Sequence, residues 1–162
     1  MISAENINCA KDKVHKMDIA AKESICDEIF HQQPNILASV LVQEQMGSTI
    51  EEVDILLNIL MVLYISVKES GNKLNKISAD DQELQLEILS ATIKFSEKMG
   101  SESISRSVNQ FVKNHSEPLL LAYTLSTLKN AHFFSKNKDS SKYLILAGIN
   151  LANCIANAQT ST

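Results

Sequence analysis

Four histidines, His15, His31, His115 and His132, are the first residues whose chemistry has to be weighed. None is three or four residues from another, so no single helix presents two imidazoles to a metal ion. Two of them stand in acid-x-x-His segments, DKVH at 12–15 and EIFH at 28–31. Di-iron bundles take such segments from two separate helices. Here both fall on one expected helix, about 24 Å apart along its axis at ~1.5 Å per residue. They could share a site only if that helix broke and folded back, so no metal is expected.

His115 and His132 each continue an apolar stripe. Val108, Phe111 and Val112 lead to the first, and Leu121, Leu125 and Leu128 to the second. Two readings follow. Either ring could pack at a helix C-terminus, where partial positive charge suits the dipole, or it could face a bound ligand such as haem. No other haem-pocket residues are legible, so both histidines stand as candidate ligand-binding residues with no cofactor expected.

Asp54 and Asn58 lie one turn apart on the most apolar segment of the chain. A carboxylate inside such a helix must be paired or protonated, which makes the two residues candidates for an internal ligand site. The ordinary alternative is that Asp54 sits in the first turns, where carboxylates suit the positive end of the dipole.

The glycines exclude other chemistries. Phosphate-cradling loops need several close together, so that backbone N–H groups can approach the phosphates. No two of the four glycines here are closer than the 24 residues between Gly47 and Gly71. P-loop, Rossmann and nucleophile-elbow patterns are absent for that reason. Cys9, Cys26 and Cys154 show no CxxC or CxxH spacing, which argues against a zinc site or a disulfide framework and suits a reducing compartment.

Residues 129–142, KNAHFFSKNKDSSK, combine Lys129, Lys136, Lys138 and Lys142 with two phenylalanines. Basic and aromatic residues together can bind nucleic acid. Arginine, the side chain best suited to bidentate phosphate contacts, occurs only once, as Arg106. The pI near 5.5 also lacks a basic footprint. A solvated loop is expected, with no nucleic-acid partner.

The segment after Lys142, YLILAGINLANCIANAQ, has no charged side chain. Asn150, Asn153 and Asn157 form one stripe of it. Such a neutral polar stripe suits contact with another surface, because it pairs without desolvating charge. Tyr143, Asn150, Asn153 and Asn157 are the candidate interface residues, and a twofold homodimer through this helix is the corresponding expectation. A weakly polar exposed face is the plain alternative.

These residues must be positioned by helices. Apolar residues make up 44% of the 162 and charged residues 21%, a balance that suits one ordinary globular domain with a real core. The charge is uneven: residues 1–100 hold 9 Lys/Arg against 16 Asp/Glu, and 101–162 hold 6 against 3. Gly47, Gly71 and Gly100 follow apolar-periodic segments as helix stops, and Pro34 and Pro118 stand just inside helix starts.

The expectation is an all-α, single-domain bundle of six or seven helices, at about 4–31 with a break allowed, 34–46, 50–70, 79–99, 102–115, 117–134 and 140–158. The third, opened by Thr49 and Glu52 in capping-box spacing, is apolar almost all round and should be central. ELQLEI at 83–88 alternates as a strand would, so helix at the start of the fourth segment competes with sheet.

QQPNILASVLV at 32–42 is echoed by SEPLLLAYTLS at 116–126. Shared helix-start grammar accounts for the likeness, and two pseudo-repeated halves, 1–71 and 78–158, are the alternative. The apolar run at 53–67 is too short to span a bilayer and carries Asp54 and Asn58. The opening MISAENINCAKDK does not read as a secretory signal. A soluble cytoplasmic protein is expected, acting without catalysis through another protein or a second copy of itself. A bundle with an internal small-molecule or metal site, an enzyme among its uses, is the competing class.

Overall fold

Ser3 opens the first helix. In the computed structural model, which describes residues 1–97, 109–136 and 138–160, Asn6 N–H donates to Ser3 Oγ at 3.1 Å, and the Asn6 side chain accepts from Ser3 N–H at 2.9 Å. The helix so capped, α1 (Ala4–Lys16), buries Ile7, Ala10 and Val14, a three- and four-residue spacing that gives one face. It ends at Met17, and Asp18 caps the next helix by accepting from Ala21 N–H at 2.8 Å. The expected 4–31 helix is therefore broken after Lys16, and α2 runs Ile19–Gln32.

Short α3 (Pro34–Leu41) follows at once and gives way to turns that close at Gly47, whose φ of +99° is the left-handed conformation glycine adopts without Cβ strain. Thr49 then opens α4 (Ile50–Glu69) with a full capping box to Glu52. From Ile59 to Val67 every residue of α4 is buried, as its all-round apolar sequence requires. α1, α3 and the last helix pack around it.

After α4 comes a two-residue strand, β1 (Lys73–Leu74), paired antiparallel with β2 (Gln159–Thr160). It ties the end of α4 to the end of the chain's last helix. α5 (Ala79–Glu97) is helical throughout ELQLEI, so the strand alternative at 83–88 is not realised. Residues 109–114 are helical. The expected helix at 102–115 extends into residues outside those described, as do Gly100, Ile104, Val108 and Arg106. α6 (Pro118–Asn130) leads into a single 3₁₀ turn, Phe133–Ser135, that plants Phe133 in the core, and α7 (Asp139–Ala158) completes the fold.

The protein is all-α, with its core between α4 and α7. The two central helices approach α6 closely at Gly148, where a Cβ would lie 3.1 Å from Leu128 Cδ1 and 3.5 Å from Leu56 Cδ1. Among the described residues, no helix is long and apolar enough to cross a membrane.

The echoed segments share more than a proline at the first helical position. Gln33 and Glu117, the residues before Pro34 and Pro118, make no side-chain cap to their own helices and are both buried. Each instead clasps distant backbone. Gln33 Nε2 donates to Asn75 O and Gln33 Oε1 accepts from Ile77 N–H, both at 2.9 Å. Glu117 Oε2 accepts from Ile2 N–H at 2.8 Å. A polar residue is tolerated inside at these positions because it satisfies backbone groups that would otherwise be buried without partners.

Candidate binding face on the fifth helix

The residues singled out from the sequence do not meet in one place. Asp54 is exposed and Asn58 half-buried; Asn58 Nδ2 donates to Asp54 O at 2.9 Å and Oδ2 at 3.2 Å, and Lys22 Nζ donates to Asn58 Oδ1 at 3.3 Å. Of the two readings of Asp54, the structure has the ordinary one, an exposed carboxylate in the first turns of α4. The first turns of α4 keep a polar side, and only 59–67 are enclosed.

His115 is a bridge. Its Nδ1 accepts from Glu117 N–H at 3.1 Å, which leaves the proton on Nε2, 3.0 Å from Asn153 Oδ1. Both ring nitrogens are occupied within the chain. His132 is exposed, and its function is carried by its backbone. With φ of +61° it is the left-handed residue that ends α6, and its carbonyl accepts from Ser135 N–H and Oγ. Neither histidine presents a free ring nitrogen on an apolar wall as a ligand would need.

The asparagine stripe of α7 is also corrected. Every residue from Gly148 to Ala156 is buried, so the helix lacks charge because it is enclosed. Asn150 Nδ2 donates to Gln82 O on α5 at 3.1 Å, Asn153 meets His115, and Asn157, which is exposed, donates to Asn153 O at 2.8 Å. The partner surface inferred for Asn150 and Asn153 is supplied by the chain's own α5 and by the corner at 115–117. Tyr143 remains exposed, near the other end of α7.

The two acid-x-x-His segments are separated by the break after Lys16, but His31 Nδ1 lies 2.7 Å from Asp27 O, and Glu28 is taken by Tyr64 and Lys68. The Lys68 ammonium and the Tyr64 hydroxyl hold the Glu28 carboxyl below its ordinary range. No group of three or more His, Cys, Asp or Glu able to hold a metal occurs among the described residues. Burial pushes the Cys154 thiol up to about 12, leaving it protonated and inert at neutral pH.

The surface that sequence reasoning missed is α5. Ser78 and Asp81 open it: Asp81 N–H donates to Ser78 Oγ, and Asp81 Oδ2 accepts from Ser78 N–H at 2.8 Å, which keeps its carboxyl below the usual range. Leu89 is buried and Ile93 half-buried on the inner side, where Gln82 receives Asn150. Leu84 is 54%, Ile88 49% and Leu86 39% exposed. Four- and three-residue spacing puts Leu84, Ile88 and Ala91 in one line, and Asp80, Glu83 and Glu87 form a parallel line beside it.

A shallow groove of about 420 Å³ lies at the acidic line, on its side toward Leu86 and Ser90, lined by Glu83, Leu86, Glu87, Ser90 and Ala91. Among the described residues, no cation pairs with Asp80, Glu83 or Glu87. The signal was the ELQLEI alternation itself. In a helix, apolar residues two apart point to opposite sides, so burying Leu89 leaves several of their neighbours facing outward.

Exposed apolar side chains also occur at Ile19 and Phe30 on α2, beside the exposed Glu23 and Asp27, at Leu41 and Val42 where α3 ends, at Leu119 on α6, and at Met46, Ile50, Phe134 and Tyr143 around the starts of α4 and α7. Around those two starts the nearby charges pair within the chain, Lys136 with Glu52 at 3.0 Å and Lys142 with Asp139 at 3.5 Å. On α5 the exposed Leu84, Leu86 and Ile88 run beside Asp80, Glu83 and Glu87, for which no cation partner occurs among the described residues. The chain matches no known family model, no curated protein and no solved structure with which it was compared.

Proposed function

We propose that the chain works by binding another protein, without chemistry of its own, along the outward face of α5. The observation that carries this reading is the exposed line of Leu84, Ile88 and Ala91 beside three carboxylates with no partner in the described chain. Apolar side chains at helical spacing, open to solvent and rimmed by polar ones, are how a helix face docks against a second helix or groove. The inner face of α5 fastens it to α7 through Leu89, Ile93 and the Gln82–Asn150 bond, so the outer face is held in place before any partner arrives. The partner can be a second copy of the chain or a different protein. Three free thiols suit a reducing compartment, in keeping with an intracellular role.

Photo-crosslinking in the cells that make the protein tests the reading. A photoreactive phenylalanine analogue at Leu84 or Ile88 should yield a discrete protein adduct, and the same group at exposed Lys11 should not. The adduct mass distinguishes a second copy from a different chain. Equal adduct patterns from Leu84 and Lys11, or none from either α5 position, overturn the proposal.

A further inference from the structure

We infer that the occupant of the α5 face is a basic amphipathic helix, an inference that rests on the protein-binding reading above and adds the chemistry of the partner. The first fifteen residues of α5, Ala79 to Ile93, carry Asp80, Asp81, Glu83 and Glu87 and no lysine or arginine. Asp81 is occupied by the Ser78 cap, which leaves Asp80, Glu83 and Glu87 as the outward charges.

These three lie at three- and four-residue intervals, the same periodicity as Leu84, Ile88 and Ala91, so one stripe of charge runs parallel to one stripe of hydrocarbon. A partner that matches both must repeat its own apolar anchors every three to four residues and set lysine or arginine along one flank. That pattern is an amphipathic helix with a basic edge. From Asp80 to Ala91 the face is about 17 Å long at ~1.5 Å per residue, about three turns, so a helix of four or five turns covers it. An acidic helix would face three unpaired carboxylates at close range, and like-charge juxtaposition opposes docking.

The groove lined by Glu83, Leu86, Glu87, Ser90 and Ala91 gives such a helix a seat for one large side chain beside two carboxylates one turn apart. Lysine stems lie along apolar surface while their ammonium groups reach charge, so a lysine flank can use both stripes at once.

The test uses the full chain and two labelled synthetic peptides of about eighteen residues, one of leucine and lysine and one of leucine and glutamate, with identical leucine spacing. Fluorescence anisotropy should show saturable binding of the leucine–lysine peptide at least tenfold tighter than that of its glutamate counterpart, and weakening as salt rises from roughly 0.05 M to about 0.5 M. Replacing Leu84 and Ile88 together by glutamine should weaken it at least tenfold. Glu83→Lys with Glu87→Lys should reverse the preference between the two peptides. These positions are on the solvent side of α5, and an unchanged far-UV circular dichroism spectrum verifies that each variant folds.

Equal binding of both peptides, or lysine-peptide binding unaffected by either variant, overturns the inference. If crosslinks form from Leu84 while neither peptide binds there, the protein-binding reading stands and the basic helix falls. An adduct of twice the chain mass that persists in the charge-reversed variant points to a second copy held by hydrocarbon alone and likewise overturns it.

Discussion

Replacing Gln33 with methionine should cost the protein about 2–4 kcal/mol, and the figure follows from two hydrogen bonds. Gln33 is 2% exposed, and its amide both donates to Asn75 O and accepts from Ile77 N–H. Methionine has nearly the same length and fills the space, so the change removes polar partners with little loss of packing. Ile77 is 1% exposed, and its N–H would be left without a partner in a place water does not reach. An unsatisfied buried group of that kind costs about 1–3 kcal/mol. The Asn75 carbonyl belongs to a partly buried bond, and water can replace part of what it loses, which adds about 1 kcal/mol. Urea unfolding followed by circular dichroism at 222 nm measures the change, and a thermal midpoint lower by roughly 4–16 °C should accompany it for a chain of this size. A loss below about 0.5 kcal/mol would refute the argument that the residue before Pro34 is a clamp.

Three further outcomes follow from single positions. His132→Val should lose about 1–2 kcal/mol while His132→Gly should not destabilise, because the left-handed backbone strains a β-branched residue and suits glycine; equal urea midpoints for the two variants would show that the backbone at 132 is not what matters. Gly148→Ala should be destabilising by roughly 1 kcal/mol: better helix propensity is outweighed because Leu128 and Leu56, both fully buried, have no room to yield. A gain in stability would mean that the α4–α6–α7 contact is looser than described.

In acid, the Thr49 N–H bond and then Lys136 hold the Glu52 carboxyl below its ordinary value of 4.5. The unfolded chain therefore takes up the proton first as pH falls. The stabilisation is full above about 4.5, and it is lost as pH drops through the lower folded value. Thermal midpoints measured from pH 7 to pH 3 should fall less steeply for Glu52→Gln than for wild type, and identical slopes would contradict the assignment.

Much of the helical frame could be read from local chemistry. Thr49 with Glu52, Pro34, Pro118, Gly47 and Gly71 each act within a few residues of themselves, and the structure uses them where the spacing placed them. The lack of charge along 59–67 correctly marked α4 as enclosed. The same lack of charge in α7 has the same cause, and the asparagine stripe that suits a partner surface lies inside, with Gln82 and His115 as partners of Asn150 and Asn153. Those partners lie 68 and 38 residues away in sequence, as Ile2 lies 115 from Glu117, so local spacing could not announce them. The break at Met17 had a legible sign in Asp18, a good helix-capping residue. The α5 face is present in ELQLEI, because a helix with that alternation must turn part of its apolar side chains outward.

The most direct measurement of the central claim is the mass of the native assembly. In gentle extracts of the cells that make it, the wild-type chain should elute well above its own 17.9 kDa, and a chain with Leu84 and Ile88 both changed to glutamine should elute as a folded monomer. A wild-type chain found only at 17.9 kDa, or a double variant that stays in the larger species, would contradict the account of α5 as the binding face.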